Sequence, residues 1–206
     1  MQSSSEVLDT LIDEFAKLPQ IGRKTAQRLA MHITKQHKED IERFSKALLD
    51  TKDKIKFCSV CCNITELEIC RMCSSVKRNK KIICVVEEPQ DVIALDKTNE
   101  YSGLYHILHG RISPLEGIGP NDIRIRELIH RLDQHNDDKI DEKVEEIILA
   151  LNPTIEGETT ILYLAKLIKP LGIKMTRIAR GIPMGADIEL TDEITLARAM
   201  EGRVTI

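Results

Sequence analysis

Residues 57–73 read FCSVCCNITELEICRMC, and two C-x-x-C pairs dominate this short stretch. A segment of this length cannot bury a hydrophobic core of its own, but two C-x-x-C turns can surround one tetrahedral Zn²⁺ with four thiolates. The spacing favours one ligand set: Cys58, Cys61, Cys70 and Cys73. Because these thiolates would fill every position around the metal, the pattern predicts a structural zinc knuckle. The alternative interpretation is a redox-active dithiol.

Two further cysteines fall outside this ligand set. Cys62 directly follows Cys61, and only the C-x-x-C spacing at both ends of the stretch argues that Cys62 stays free. Cys84 lies within the apolar run KIICVV, so we expect it in the hydrophobic core.

The composition is typical of a globular protein with one ordinary domain or two small ones. The chain has 206 residues, of which 42% are hydrophobic and 31% are charged. No apolar run approaches the ~20 residues needed to span a bilayer, and the acidic, amphipathic N-terminus is unlike a signal peptide. We therefore expect a cytoplasmic protein, in which paired cysteines bind metal more often than they form disulfides.

Charge is distributed unevenly along the chain. Residues 1–81 carry 16 basic and 11 acidic side chains, whereas residues 82–206 carry 14 basic and 22 acidic ones. The basic front half favours a polyanionic partner such as nucleic acid. The alternative is an ordinary charge imbalance without a partner.

The region before the knuckle has the pattern of three amphipathic helices. Apolar side chains recur at helical spacing through residues 7–18. Pro19 is expected to end this first helix, and a second helix follows a short turn. A third helix is expected over about residues 39–50. Its predicted buried side chains are Ile41, Phe44 and Leu48.

Residues 18–30, LPQIGRKTAQRLA, place a tight turn between the first two helices. Gly22 precedes the second helix, whose N-terminal N–H groups favour an anion such as phosphate. The basic side chains of this segment, which we expect to contact a DNA backbone, are Arg23, Lys24 and Arg28. The segment resembles the helix–hairpin–helix of DNA-repair proteins, which contacts the DNA backbone without reading bases. Such hairpins usually carry glycine where this chain has Gln20, and an ordinary helical hairpin is the alternative.

After the basic run at residues 77–81, the pattern changes to short apolar runs that alternate with amphipathic helices. Such alternation predicts a parallel sheet covered on both faces, which places the chain in the α/β class. Residues 133–146 have the composition of a charged connection. Residues 180–206 are expected to form a loop, an edge strand and a last helix.

Carboxylates follow two of the predicted strands. Glu87 ends the strand IICVVE and Asp91 comes four residues later, while Glu156 and Glu158 follow the strand EEIILALN. Because the carboxyl ends of parallel strands meet at one crevice, we expect these side chains to lie there. Such a cluster would suit Mg²⁺, which in turn would recruit phosphate. The alternative is a set of solvated surface carboxylates.

The sequence VVEEPQDVIAL resembles the Glu-x-x-x-Asp signature of Toprim domains, and Glu156-Gly157-Glu158 stands where those domains carry Asp-x-Asp. The order of hairpin, four-cysteine knuckle, Toprim domain and the tail RIARGIPMGADIELTDEITLARAMEGR resembles the bacterial RecR family of recombination mediator proteins. This resemblance extends over essentially the whole chain. It divides the chain into a helix–hairpin–helix region (1–53), a zinc finger (54–76), a Toprim domain (77–176) and an oligomerising tail (177–206).

The resemblance also implies roles for the motif residues. Lys24 and Arg28 match DNA-contacting positions of the hairpin, and the four knuckle cysteines match the zinc ligands. The Toprim acidic set is Glu87, Asp91, Glu156 and Glu158. By resemblance, this set would bind Mg²⁺ or the basic surface of a partner.

The function implied by the resemblance is non-enzymatic and belongs to recombinational DNA repair in the bacterial cytoplasm, at the nucleoid. The protein would bind single- and double-stranded DNA and assemble into a dimer or a tetrameric ring. In the RecBC-independent RecF pathway it would act with RecO and RecF to help load RecA on single-stranded or gapped DNA. The competing interpretations are a Mg²⁺-dependent Toprim nuclease and a zinc module that binds only proteins.

Overall fold

The computed structural model describes residues 5–135 and 143–205, so half of the charged connection predicted at residues 133–146 lies outside the described residues. The chain divides into two compact units, of which the first ends at Ile55 and the second begins at Lys56. Among the described residues, no helix has the length and apolar character needed to cross a membrane.

The first unit is helical, with α1 at Glu6–Ala16, α2 at Arg23–Ile33 and α3 at Lys38–Lys54. The Ser5 hydroxyl caps α1 by accepting a hydrogen bond from the Leu8 N–H. The buried residues of this unit are Ile12, Ala26 and Ala30, where α1 packs on α2. The two alanines leave no side-chain bulk between the helices, so their backbones can approach closely.

The predicted burial of the third helix is wrong. α3 forms, but none of its residues is buried: Ile41 is half-buried, whereas Phe44 is 47% exposed and Leu48 is 58% exposed. Apolar periodicity identifies a helix face that would gain from burial, but it does not supply the surface that covers the face. In this chain the apolar faces of α1 and α2 pack against each other, and the apolar face of α3 stays exposed.

The second unit opens with the knuckle, in which β1 (Lys56–Phe57) pairs antiparallel with β2 (Ile64–Thr65). An α/β domain follows. Its elements are β3 (Asn79–Val86), α4 (Pro89–Asp96), β4 (Gly103–Ile107), α5 (Ile125–His135), β5 (Glu146–Leu149), α6 (Ile155–Ile168) and β6 (Lys174–Arg177). The predicted α/β class is confirmed.

The sheet of the described residues has four parallel strands in the order β4-β3-β5-β6. Residues 83–86 of β3 are all buried, as expected for a central strand covered on both faces. The core includes Ile83, Leu128, Ile147 and Leu164. The edge strand expected within residues 180–206 is wrong, because the described residues of that segment form no strand and Ile188–Leu190 is a short 3₁₀-helix. The edge strand of the sheet is β6, which ends before this segment, and α7 (Glu193–Glu201) is the last helix.

Candidate zinc centre, nucleic-acid interface and acidic crevice

The four predicted ligands converge in the knuckle. The Sγ atoms of Cys58, Cys61, Cys70 and Cys73 all lie within 4.8 Å of one another. Four thiolates around one zinc at ~2.3 Å would place their sulfurs about 3.8 Å apart. The Sγ atoms of Cys61 and Cys70 are 3.5 Å apart, close to that spacing. The donor set therefore fits a tetrahedral zinc, and no coordination position remains for water or substrate.

Backbone hydrogen bonds hold each C-x-x-C turn in shape. The Cys62 N–H donates to the Cys58 carbonyl at 2.9 Å, and the Ser74 N–H donates to the Cys70 carbonyl at 3.1 Å. The Cys70 N–H donates to the Cys58 sulfur at 3.3 Å. Hydrogen bonds of this kind, from outside a ligand to the ligand atom, orient metal ligands.

The two remaining cysteines lie outside the metal-ligand group, as predicted. Cys62 is buried, and burial is the main reason that its pKa rises to about 11. Cys84 is buried in β3, where burial raises its pKa to about 12. Both side chains therefore stay neutral thiols at neutral pH.

The knuckle is joined directly to the edge of the sheet. The Ile107 N–H of β4 donates to the Cys61 carbonyl at 2.9 Å. His109, just beyond the strand, contacts the Cys62 carbonyl through Nε2 at 2.6 Å, and its ring lies 4.4 Å from the Phe57 ring. The zinc ligands thus share a hydrogen-bond network with the α/β domain.

The hairpin turn has the backbone geometry that its sequence predicted. Gln20 has φ of 62°, the left-handed region in which glycine is usual. Gly22 caps α2 with extended backbone and without a side-chain hydrogen bond. A Cβ added to Gly22 would have no neighbour within 4 Å, so the space in front of the first N–H groups of α2 is open.

The three predicted DNA-contacting side chains are exposed, but they differ in their partners. Arg23 pairs with Asp13 of α1 at 3.1 Å. Lys24 and Arg28 have no ion-pair partner among the described residues, and both line a shallow groove along α2. Gln27, His32 and Lys35 line the same groove, and we did not single them out from sequence. Helical periodicity starting from Lys24 would have found them.

The basic run at residues 77–81 is partly structural. The Arg78 guanidinium donates to the Gly103 carbonyl and pairs with Asp96, and it lies 5.6 Å from the Tyr105 ring centroid. Lys81 pairs with Glu145 at 2.6 Å. These contacts fasten β3 to its neighbours and leave less of the charge for a polyanion.

Glu87, at the end of β3, is buried and fully engaged. Its carboxylate accepts hydrogen bonds from the Asn152 backbone N–H at 2.8 Å and from the Asn152 side-chain amide at 2.9 Å. Arg111 lies 3.8 Å away. Gly157 permits this close packing, because a Cβ there would lie 2.0 Å from the Asn152 carbonyl oxygen.

The other predicted acidic residues have different roles. Asp91 accepts a hydrogen bond from the Glu88 N–H at 2.8 Å and completes the capping box of α4. Glu158 pairs with Arg177 at 3.3 Å and with Arg180. Glu156 is half-buried in the first turn of α6. Among the described residues, the four cysteines are the group of three or more candidate ligands that could hold a metal ion, and these carboxylates do not form one.

Comparisons with known proteins match all four parts of the chain. The matching family models are those of the RecR helix-hairpin-helix over residues 8–52, the RecR four-cysteine zinc finger domain over 55–75, the Toprim domain over 81–179 and the RecR C-terminal region over 181–204. The recombination protein RecR of Chloroherpeton thalassium is 58% identical over 98% of both chains. Those of Chlorobaculum tepidum and Chlorobium chlorochromatii are 56% and 57% identical over the full length of both chains. The chain belongs to the RecR family.

Membership of the RecR family confirms the predicted succession of hairpin, zinc finger, Toprim domain and tail. The match to a four-cysteine zinc finger domain, together with the four converging sulfurs, confirms the predicted zinc finger. The boundaries drawn after residues 53, 76 and 176 stay predictions.

Proposed function

We propose that this chain is a recombination mediator that binds DNA, has no catalytic activity of its own and acts with RecO and RecF to load RecA on single-stranded or gapped DNA. The observation that carries the proposal is the exposed basic face of α2 beside its open N-terminus. Lys24 and Arg28 present their charges to solvent there, and the Gly22 cap leaves backbone N–H groups free for phosphate. Contacts of this kind bind the backbone of single- and double-stranded DNA without reading sequence.

The crevice at the carboxyl ends of the strands supports a non-enzymatic role. A Mg²⁺-dependent nuclease needs carboxylates that are free to hold the metal. Glu87 accepts two hydrogen bonds from Asn152 and lies 3.8 Å from Arg111, and Glu158 pairs with two arginines. A cavity of about 510 Å³ beside Glu158 is also lined by Arg177, Arg180 and Arg198, so its charge disfavours a hard cation.

The exposed apolar side chains support assembly into a dimer or tetrameric ring. On α3, Leu48 and Leu49 are 58% and 65% exposed, and in the tail Leu190 and Ile194 are 83% and 75% exposed. Apolar side chains left in water at this density favour contacts between protein surfaces. We place the assembled protein in the bacterial cytoplasm, at the nucleoid, where gapped DNA is found.

DNA binding tests the proposal. Replacing Lys24 and Arg28 together by alanine should weaken binding to unrelated sequences alike and reduce the slope of log affinity against log salt by about 1.4–1.8, since each lost phosphate contact removes ~0.7–0.9. The control is Lys46→Ala with Lys52→Ala, which removes the same charge from exposed positions of α3. Equal losses in both double variants would show that only net charge matters and would contradict a site on α2.

Two further measurements test the absence of catalysis and the partner. Supercoiled and single-stranded DNA incubated with the protein and Mg²⁺ should stay intact; nicking that Glu87→Gln abolishes would establish the nuclease instead. Light scattering should show one mass for the protein alone and a larger one with RecO. If the double substitution of Lys24 and Arg28 abolishes DNA binding but RecO does not associate with the wild-type protein, the protein binds DNA without being a mediator of this pathway.

A further inference from the structure

Arg131 of α5 is a buried cation that the proposed function does not use. Arg131 is only 4% exposed to solvent, and its Nη1 donates a hydrogen bond to the Tyr105 carbonyl at 2.8 Å. Its Nε and Nη2 atoms are buried and have no hydrogen-bond partner in the part of the chain that the structure describes. Among the described residues no carboxylate pairs with Arg131, and the nearby Glu127 of the same helix pairs with Arg124 at 2.7 Å. A buried guanidinium without a counter-charge is costly, so its surroundings should supply one.

The knuckle lies beside this guanidinium. Residues two apart on a strand direct their backbone polar groups to the same side, so the Tyr105 carbonyl and the Ile107 N–H lie next to each other on the free edge of β4. The Arg131 guanidinium donates a hydrogen bond to the Tyr105 carbonyl, and the Ile107 N–H donates to the Cys61 carbonyl at 2.9 Å. The arginine and the first zinc-binding turn are therefore adjacent on the strand edge.

The zinc centre offers the missing charge. Four thiolates around Zn²⁺ carry a net charge of about −2, and N–H donors from outside the ligand set commonly stabilise such sites. We propose that Arg131 is a positioning residue of the zinc centre: held by Tyr105, it supplies the buried counter-charge and N–H donors to the knuckle thiolates when zinc is bound. This inference is independent of DNA binding and of the mediator role, and it makes zinc retention depend on α5 of the α/β domain.

Zinc affinity tests the proposal in the full chain. In competition with a chromogenic chelator, Arg131→Met should bind zinc about 10–100-fold more weakly, the usual loss when such a supporting group is removed. Arg131→Lys, which keeps the charge but not the planar donors, should lose less. Arg126→Met is the matched control, because Arg126 is exposed on the same helix. An affinity of Arg131→Met within twofold of this control would overturn the proposal.

A thermodynamic cycle covers the case in which Arg131→Met folds poorly. The melting temperatures of wild type and Arg131→Gln are compared with zinc bound and after chelation. The proposal expects the substitution to lower the melting temperature by several degrees more in the zinc-bound protein. An equal decrease in both states would show that Arg131 only supports the Tyr105 carbonyl, and would refute its role at the metal.

Discussion

Gln20 and Cys62 hold left-handed backbone conformations at the hairpin and at the knuckle, each with φ of 62°. An L-residue loses about 1–2 kcal/mol in this conformation, so the surrounding contacts must hold each turn. At the knuckle, the Cys62 N–H donates to the Cys58 carbonyl. Sequence indicated the first position, because Gln20 stands where glycine is usual. It carried no signal for the second, because the C-x-x-C pattern specifies ligands and not the residue that follows them.

A substitution at Gly22, the N-cap of α2, should change helix stability and DNA affinity in opposite directions. Gly22→Asp should stabilise α2 by a few tenths of a kcal/mol, because aspartate is a better N-cap than glycine. The same substitution should weaken DNA binding about tenfold, because its carboxylate would lie where we expect a phosphate. Urea unfolding and fluorescence anisotropy measure the two effects. Gly22→Ser is the uncharged control, and a Gly22→Asp variant that binds DNA as wild type does would place the phosphate elsewhere.

His106 makes stability depend on pH. Burial lowers its pKa from 6.5 to about 4, while its Nε2 lies 2.9 Å from the Arg124 carbonyl. Because the unfolded chain takes up this proton below pH 6.5 and the folded chain does not until about pH 4, stability should fall as pH falls through that window. The linked loss is about 2 kcal/mol between about pH 7 and pH 5.

The measurement for His106 is urea unfolding at several pH values beside His106→Gln. This variant cannot titrate, so its stability should fall less than that of wild type by about 2 kcal/mol over the same window. Zinc content is followed in parallel, so that loss of metal is not mistaken for titration. Parallel pH curves for the two proteins would contradict the prediction.

At the scale of elements, local sequence patterns predicted which helices and turns form, but not which of their side chains are buried. The spacing of cysteines predicted the knuckle, because metal ligation is set by a few residues close in sequence. The apolar periods of α1 and α2 predicted two helices joined by a turn, and the structure packs them on each other at Ile12, Ala26 and Ala30. The period of α3 predicted its existence but not the exposure of Phe44 and Leu48, because burial depends on a partner surface that the period does not encode.

The folded structure of the knuckle should depend on bound zinc. Chelation, or Cys70→Ser, should lower the melting temperature by at least about 5 °C, equivalent to roughly 2 kcal/mol in a chain of this size. Cys62→Ser is the control, since Cys62 is buried but outside the ligand group, and it should keep one zinc per chain. Calorimetry and metal analysis measure both quantities. An unchanged melting temperature after complete zinc removal would show that zinc does not stabilise the fold.

At the scale of the whole molecule, sequence placed carboxylates at the ends of strands but not their counter-ions. Glu158 pairs with Arg177 and Arg180, about twenty residues away in the chain. Glu87 accepts hydrogen bonds from Asn152, 65 residues away, and its nearest cation is Arg111 at 3.8 Å. Such pairs arise only when the parallel sheet brings distant loops to one edge, so no local motif reveals them. The acidic motif alone therefore indicated a Mg²⁺ site, whereas in the folded crevice Glu87 and Glu158 already have hydrogen-bond and ion-pair partners.

Metal binding by the crevice tests this account. Millimolar Mg²⁺ should leave the melting temperature of the wild-type protein unchanged, because the arginines already balance the carboxylates. Arg177→Ala with Arg180→Ala should release Glu158, but Mg²⁺ should still leave the melting temperature unchanged, because a single freed carboxylate offers too few ligands and the described carboxylates do not form a metal-holding group. Arg198→Ala is the matched control, because Arg198 lines the same cavity but pairs with Glu201. Stabilisation of the wild-type protein by Mg²⁺ that Glu87→Gln or Glu158→Gln removes would show that the crevice is a metal site after all, and would reopen the nuclease interpretation.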